Sequence, residues 1–331
     1  MSSSDAHHQL HLVSVNRRGI LAMSLSMACF VANDALVKHV SATLPSGQLI
    51  CVRGLMATAL MLAVAQSMGL MKQLPQMANR PLWLRAFLDG MASLVYLTAV
   101  FHLPLGQATA INLASPLFAI LMAMWWLRER VTLMRGLAVI IGFMGVLMVV
   151  QPAADAFNVY SLLAVVGTML HATRDLLTRR IPAHVPAVLI SLSTALSVAV
   201  LAGVLSLFQV WQPLSMASVL QLGLAAVFLC SGYYTLILAM RSGDVSAIAP
   251  FRYSGLLFAL VLGYLLWDEM PNLLAWIGIA LLVGSGLTIL QTERRRQQAA
   301  TRQVENHHPS VQLSSPSFPT SQPSTPPQEK T

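Results

Sequence analysis

Four ionisable side chains stand deep inside apolar runs of this sequence: Asp34, Arg53, Asp89 and Arg252. In hydrocarbon such a group needs a partner, a wet cavity or a purpose. A carboxylate there can carry a proton, which makes Asp34 and Asp89 candidates for proton coupling. A guanidinium there can hold an anion through its fork of donors, so Arg53 and Arg252 are candidate contacts for a solute with a carboxylate or other anionic group. Asn112, His171, Tyr96 and Tyr253 complete the set of cavity candidates, as polar or stacking side chains in the middle of apolar runs. Tyr233 and Tyr234 share that setting.

Asp34 and Arg53 fall in one leaflet on adjacent helices of a hairpin, which predicts a contact or a shared polar pocket between them. Each candidate also has a plainer account. Asp34 can pair with Lys38 one helical turn on, and Asp89 with Arg85 one turn back. Arg252 can snorkel to lipid phosphates. Asn112 can make an interhelical hydrogen bond. His171, with Arg174 and Asp175, can sit at the membrane interface, and the tyrosines can be packed core residues with satisfied hydroxyls. His-Glu-x-x-His, Gly-x-Ser-x-Gly and P-loop motifs do not occur in the spans, which argues against an intramembrane enzyme or an ATP-driven pump. No catalytic residue, cofactor or metal is expected. His7, His8 and His11 read as part of a polar tail, and Cys29, Cys51 and Cys230 as packing thiols.

The elements that must position these residues are set by composition. Only 10% of the 331 residues are charged, against 56% hydrophobic, where a soluble protein carries about 25% charged residues. From Ile181 to Met240 there is no Asp, Glu, Lys or Arg. The chain is therefore an all-α integral membrane protein, and its partners are the lipid bilayer and a small molecule, not nucleic acid; a homodimer is left open. Breakers separate ten apolar runs of roughly 20 residues, enough to cross about 30 Å of hydrocarbon: 19–38, 47–68, 85–103, 106–127, 134–151, 158–178, 185–208, 217–240, 246–267 and 272–290. Seventeen of the 20 Lys and Arg residues fall before the first run, after the last, or at every second junction between. That alternation predicts a multi-pass protein of the cytoplasmic (inner) membrane with both termini cytoplasmic. The six tryptophans fall near predicted interfaces, with Trp83, Trp125 and Trp126 at one face and Trp211, Trp267 and Trp276 at the other. Polar tails occupy 1–18 and 292–331, the second of them expected to be disordered.

Self-similarity recurs at about 140 residues. Asn33-Asp34 resembles Arg174-Asp175, Glu129 matches Glu269, Ala138 and Gly142 match Ala280 and Gly284, and Asn112 corresponds to Arg252 beside Pro250. The chain thus divides into two units of five spans, 19–151 and 157–290. Five is odd, so the second unit is inverted relative to the first, the arrangement of many secondary transporters. Small residues at Ala138, Gly142, Ala280 and Gly284 would let the fifth and tenth spans approach their neighbours closely.

Ten spans in a five-plus-five repeat, Pro116 in an Ala-Ser-Pro-Leu-Phe run, and an acid after the fourth and ninth spans resemble the drug/metabolite transporter superfamily, and more narrowly its EamA-type ten-helix members. The resemblance covers residues 19–290. It implies a secondary transporter that moves a small organic metabolite, amino-acid-like or drug-like, by alternating access. The implied direction is export, coupled to protons or exchange. Import of a cofactor-like metabolite is the alternative; a membrane-embedded enzyme or a scaffold is the alternative of a different class.

Overall fold

A computed structural model describes residues 3–126, 133–151, 158–178, 181, 185–241 and 248–307. Glu129, Arg128, Arg130, Asp155, Arg179 and Arg180 lie outside the described residues, as do the side chains of Trp125, Trp126, Arg135, His7, His8 and His11. Among the described residues the chain is helical throughout, with no strand. Within hydrocarbon each backbone N–H must find a partner in its own segment, and an uninterrupted apolar run does so only as a helix.

The helices are α1 (Ser3–Val40), α2 (Ser46–Ser67), α3 (Arg80–His102), α4 (Leu105–Asn112), α5 (Ser115–Trp126), α6 (Leu133–Val150), α7 (Val159–Thr178), α8 (Ala187–Ser206), α9 (Met216–Arg241), α10 (Ser254–Trp267) and α11 (Leu273–His307). Eight segments are long and apolar enough to cross a membrane, with Gly136–Val150 a shorter apolar helix. The remaining span is α7, whose hydropathy is diluted by His171, Thr173, Arg174 and Asp175. Two spans are broken. The fourth is α4 followed by α5, separated at Leu113-Ala114, because Pro116 has no N–H to give the Asn112 carbonyl. The ninth opens with a 3-10 turn, Ala249–Tyr253, carrying Pro250 at its start. The helix α11 runs on to His307. Gln, Arg and Ala, all good helix formers, are frequent in this continuation beyond the apolar run.

Packing is dominated by contacts between the two repeats. The helix α1 lies on α9, α2 on α8, and α3 on α7; α2 also meets α9, as α3 meets α8. These pairs form a pseudo-symmetric set: exchanging the first five spans with the last five turns the α1–α9 contact into α3–α7, and α2–α9 into α3–α8. Outward faces such as Leu257, Val261 and Leu265 on α10 are apolar and exposed, as a lipid-facing surface must be. The close approach expected at Gly142 is present, since a Cβ there would sit 2.6 Å from Ser285 Oγ of the tenth span. A Cβ on Gly145 would sit 2.7 Å from the Gly278 carbonyl, and one on Gly278 would sit 2.7 Å from that of Gly145. The fifth and tenth spans thus meet at this pair as well, while Gly284, matched to Gly142 in sequence, faces open space.

Candidate functional site

A cavity of about 280 Å³ lies where the repeats meet. Its wall takes Asp34 from α1, Arg53 from α2, Tyr96 from α3, Asn112 from the break in the fourth span, His171 from α7, and Arg252 and Tyr253 from the 3-10 turn of the ninth. The volume is at the lower end for small-molecule sites, which run from about 300 Å³ upward. Asp89 is not among the lining residues.

Side chains meet across the cavity in short chains. Arg53, only 3% exposed, donates from Nη1 to Asn33 Oδ1 at 3.0 Å. Asn33 Nδ2 donates in turn to Asp34 Oδ1 at 2.9 Å. Asp34 and Arg53 are therefore joined through an amide. The alternative pairing of Asp34 with Lys38 is not what the structure shows, because Lys38 is engaged elsewhere. His171 Nδ1 sits 3.0 Å from Asn112 Oδ1, an acceptor, so a neutral imidazole carries its proton on Nδ1 there. The Tyr96 and His171 rings lie 5.7 Å apart, and Phe30 meets Tyr233 edge to face at 5.2 Å. Asn112 and Arg252 stand at the two helix breaks, where freed backbone groups and polar side chains can face a ligand. Among the described residues Arg252 makes no hydrogen bond or salt bridge.

Behind the cavity lies a second polar group, held closed on itself. Asp89, 1% exposed, accepts from Arg174 Nη1 at 2.6 Å and lies 3.3 Å from Arg85 Nη1. Thr194 Oγ1 donates to its other oxygen at 3.0 Å, and Arg174 spends its remaining donors on Asp175 Oδ1 at 2.7 and 3.0 Å. The Arg85–Asp89 pair that helical spacing allowed is present, but Arg174 and Thr194 come from the other repeat, and spacing alone could not supply them.

A third set of charges ties one end of the bundle. Lys38 Nζ meets Glu269 Oε1 at 2.5 Å and the Leu103 carbonyl at 2.6 Å, and stands 4.8 Å from the Trp267 ring. Glu269 Oε2 accepts from the Leu105 N–H at 2.7 Å. That N–H opens α4, where a carboxylate is favoured by the free donors and the helix dipole. Asp268 takes a left-handed conformation (φ 55°), which ends α10 and turns the chain back. Gly263 leaves room for the carboxylate, since a Cβ there would lie 3.1 Å from Glu269 Oε2. One ion pair thus binds the ends of α1 and α10 to the joint between α3 and α4. Sequence matching singled out Glu269 as a repeat landmark but gave no partner; 231 residues separate it from Lys38.

The EamA-like transporter family model matches the chain twice, over residues 17–151 and 158–291. The chain belongs to this family: it is a multi-pass membrane transporter of a small molecule, not an enzyme. A riboflavin transporter of Vibrio cholerae is 26% identical over 295 residues, covering 88% of this chain and 97% of the relative. A pseudopaline exporter of Pseudomonas aeruginosa is 26% identical, covering 84% and 98%. An S-adenosylmethionine uptake transporter of Rickettsia bellii is 24% identical, covering 84% and 94%. A solved crystal structure superposes with a TM-score of 0.59 at 19% identity, covering 84% of this chain and 98% of that one, which supports the fold.

Proposed function

We propose that the protein is a secondary transporter of the cytoplasmic membrane, with both termini cytoplasmic, that moves a small organic metabolite by alternating access. The observation that carries this reading is the polar cavity between the two repeats, with the Lys38–Glu269 tie across one end of the bundle. Asp34 is one helical turn from Lys38, so the tie stands about 6 Å beyond the cavity wall. The lining continues the other way, to Met27 in α1 and Leu290 in α11, towards the end that bears the termini. In this reading the tie is the closed outer gate, and its loss accompanies the swing to the opposite state. Arg53, Arg252, Asn112, Tyr96, Tyr253 and His171 contact the solute. Asp34, on the wall and without a direct cationic partner, is the proton carrier in preference to the clamped Asp89.

Export, coupled to protons or by exchange, is the first direction. Import of a cofactor-like metabolite is the second. It is favoured by the Rickettsia relative, an uptake transporter by name, and by the position of Asp34 near Arg53. The test is an untargeted comparison of metabolites inside and outside cells lacking or overproducing the protein. The expected result is at least one small metabolite displaced in opposite senses in the two strains, the sense giving the direction. Identical profiles in the two strains would sink the proposal.

A further inference from the structure

We infer that the cavity binds a solute carrying a single carboxylate, with Arg53 as the anchor for that carboxylate and Arg252 as its second cation. The inference rests on the transporter reading above and narrows it to a substrate class. A guanidinium has five N–H donors in a planar fork that fits a carboxylate. Arg53 is buried within the span, yet its one hydrogen bond among the described residues goes to Asn33. Its buried Nε has no partner among the described residues. Buried donors are normally satisfied, and a guanidinium with an orphan donor on a cavity wall is one that a bound solute can satisfy. The Arg174 guanidinium, on the same wall, makes the contrast: all three of its nitrogens donate, to Asp89 or Asp175.

Charge matching gives the same answer. The charged lining residues are Asp34, Arg53, Arg174 and Arg252. Arg174 and Arg85 together are matched by Asp89 and Asp175, so Arg53 and Arg252 face one opposing charge, Asp34. An excess of one positive charge fits a carboxylate, and it fits less well a phosphate monoester carrying close to two negative charges. Phe30, Tyr96, Tyr233 and Tyr253 add aromatic rings to the wall, suited to an apolar or unsaturated body of metabolite size.

The test uses the full-length protein in proteoliposomes, given one fixed bacterial metabolite extract, with accumulated compounds identified by mass spectrometry. Wild type is expected to accumulate compounds with a single carboxylate. Arg53→Gln should lower that accumulation at least about tenfold, the effect of losing a hydrogen bond to a charged group, with Arg53→Lys recovering part of it. Arg252→Gln changes an exposed residue and so keeps the test independent of folding; it should lower the same compounds by a smaller factor. Accumulation confined to neutral or cationic compounds, or to phosphate esters, would overturn the inference and leave the transporter reading standing. So would an Arg53→Gln protein that accumulates carboxylates as wild type does. If wild type accumulates nothing, the transporter reading fails and this inference falls with it.

Discussion

Two polar groups occupy equivalent places in the two repeats and are finished differently. Asp34 and Asp175 are 141 residues apart, as are Arg53 and Thr194. In the second repeat the position beside the aspartate is Arg174, and the position across from it is a hydroxyl. Asp89 arrives from the first repeat, and every charge finds an opposite. In the first repeat the neighbour is Asn33 and the position across is Arg53. The residue that stands where Asp89 would be, again 141 residues on, is Cys230. No carboxylate comes to meet the arginine, and its Nε is left bare. On the proposed reading one fold position serves as glue in one repeat and as a receptor in the other, and the difference is the carboxylate of Asp89, where the other repeat has Cys230.

The strongest way to break this comparison is to remove the carboxylate that is present. Asp89→Ala strands Arg85 in the membrane without a counter-charge and leaves Arg174 with Asp175 alone. Removing one partner of a buried ionic set costs about 3–5 kcal/mol. The variant should melt well below wild type in detergent or fail to insert. Arg53→Gln, by contrast, should melt within about 1 kcal/mol of wild type, since it removes a group that makes one hydrogen bond. Equal melting losses for the two variants would erase the distinction between glue and receptor.

A smaller effect separates both groups from the tied end. Glu269→Gln leaves Lys38 without its counter-charge but keeps an acceptor for the Leu105 N–H. The loss falls on the state in which the end is closed, by about 1–3 kcal/mol. A lone cysteine at Val31, which lines the cavity, then becomes reachable by a membrane-impermeant thiol reagent from the Lys38 side. Labelling that stays one-sided in Glu269→Gln would show that the pair does not govern access.

Some of this was legible in the residues alone. The alternation of Lys and Arg gave ten spans, because a charge in lipid is too costly to scatter at random. The 140-residue recurrence gave the inverted repeat, which the cross-repeat packing of α1–α9 and α3–α7 mirrors. Asp34, Arg53, Arg252, Asn112, His171 and Tyr96 could be chosen because each violates the apolar rule in mid-span. Partners could not be read. Helical spacing reaches three or four residues, so it offered Lys38 to Asp34 and Arg85 to Asp89. The Arg85–Asp89 pair is there, but the partner of Lys38 and the second cation on Asp89 come from 231 and 85 residues away, through packing between the repeats. The hydrogen bond from Arg53 to Asn33 joins the consecutive helices α1 and α2 and is likewise set by packing. The residues that matter were visible as exceptions; their pairing is a tertiary property.

The smallest effect on stability and the sharpest on mechanism is expected from Asp34→Asn. The carboxylate accepts from Asn33 and faces the cavity, and its amide replacement can still accept, so melting should change by less than about 1 kcal/mol. Transport should respond differently. An ionised Asp34 competes with a solute carboxylate for the attention of Arg53, and protonation removes that competition. Proton and anion therefore favour each other's binding, which is reciprocal by linkage. In the import direction a site built this way moves the two together, and an acid-outside gradient then drives accumulation of a carboxylate solute in proteoliposomes by wild type. Asp34→Asn should still equilibrate that solute but should no longer concentrate it when the gradient is imposed. If the variant concentrates it as well as wild type does, Asp34 is not the coupling group. If wild type expels the solute under the same gradient, proton and anion compete rather than cooperate, and export is the direction of coupling.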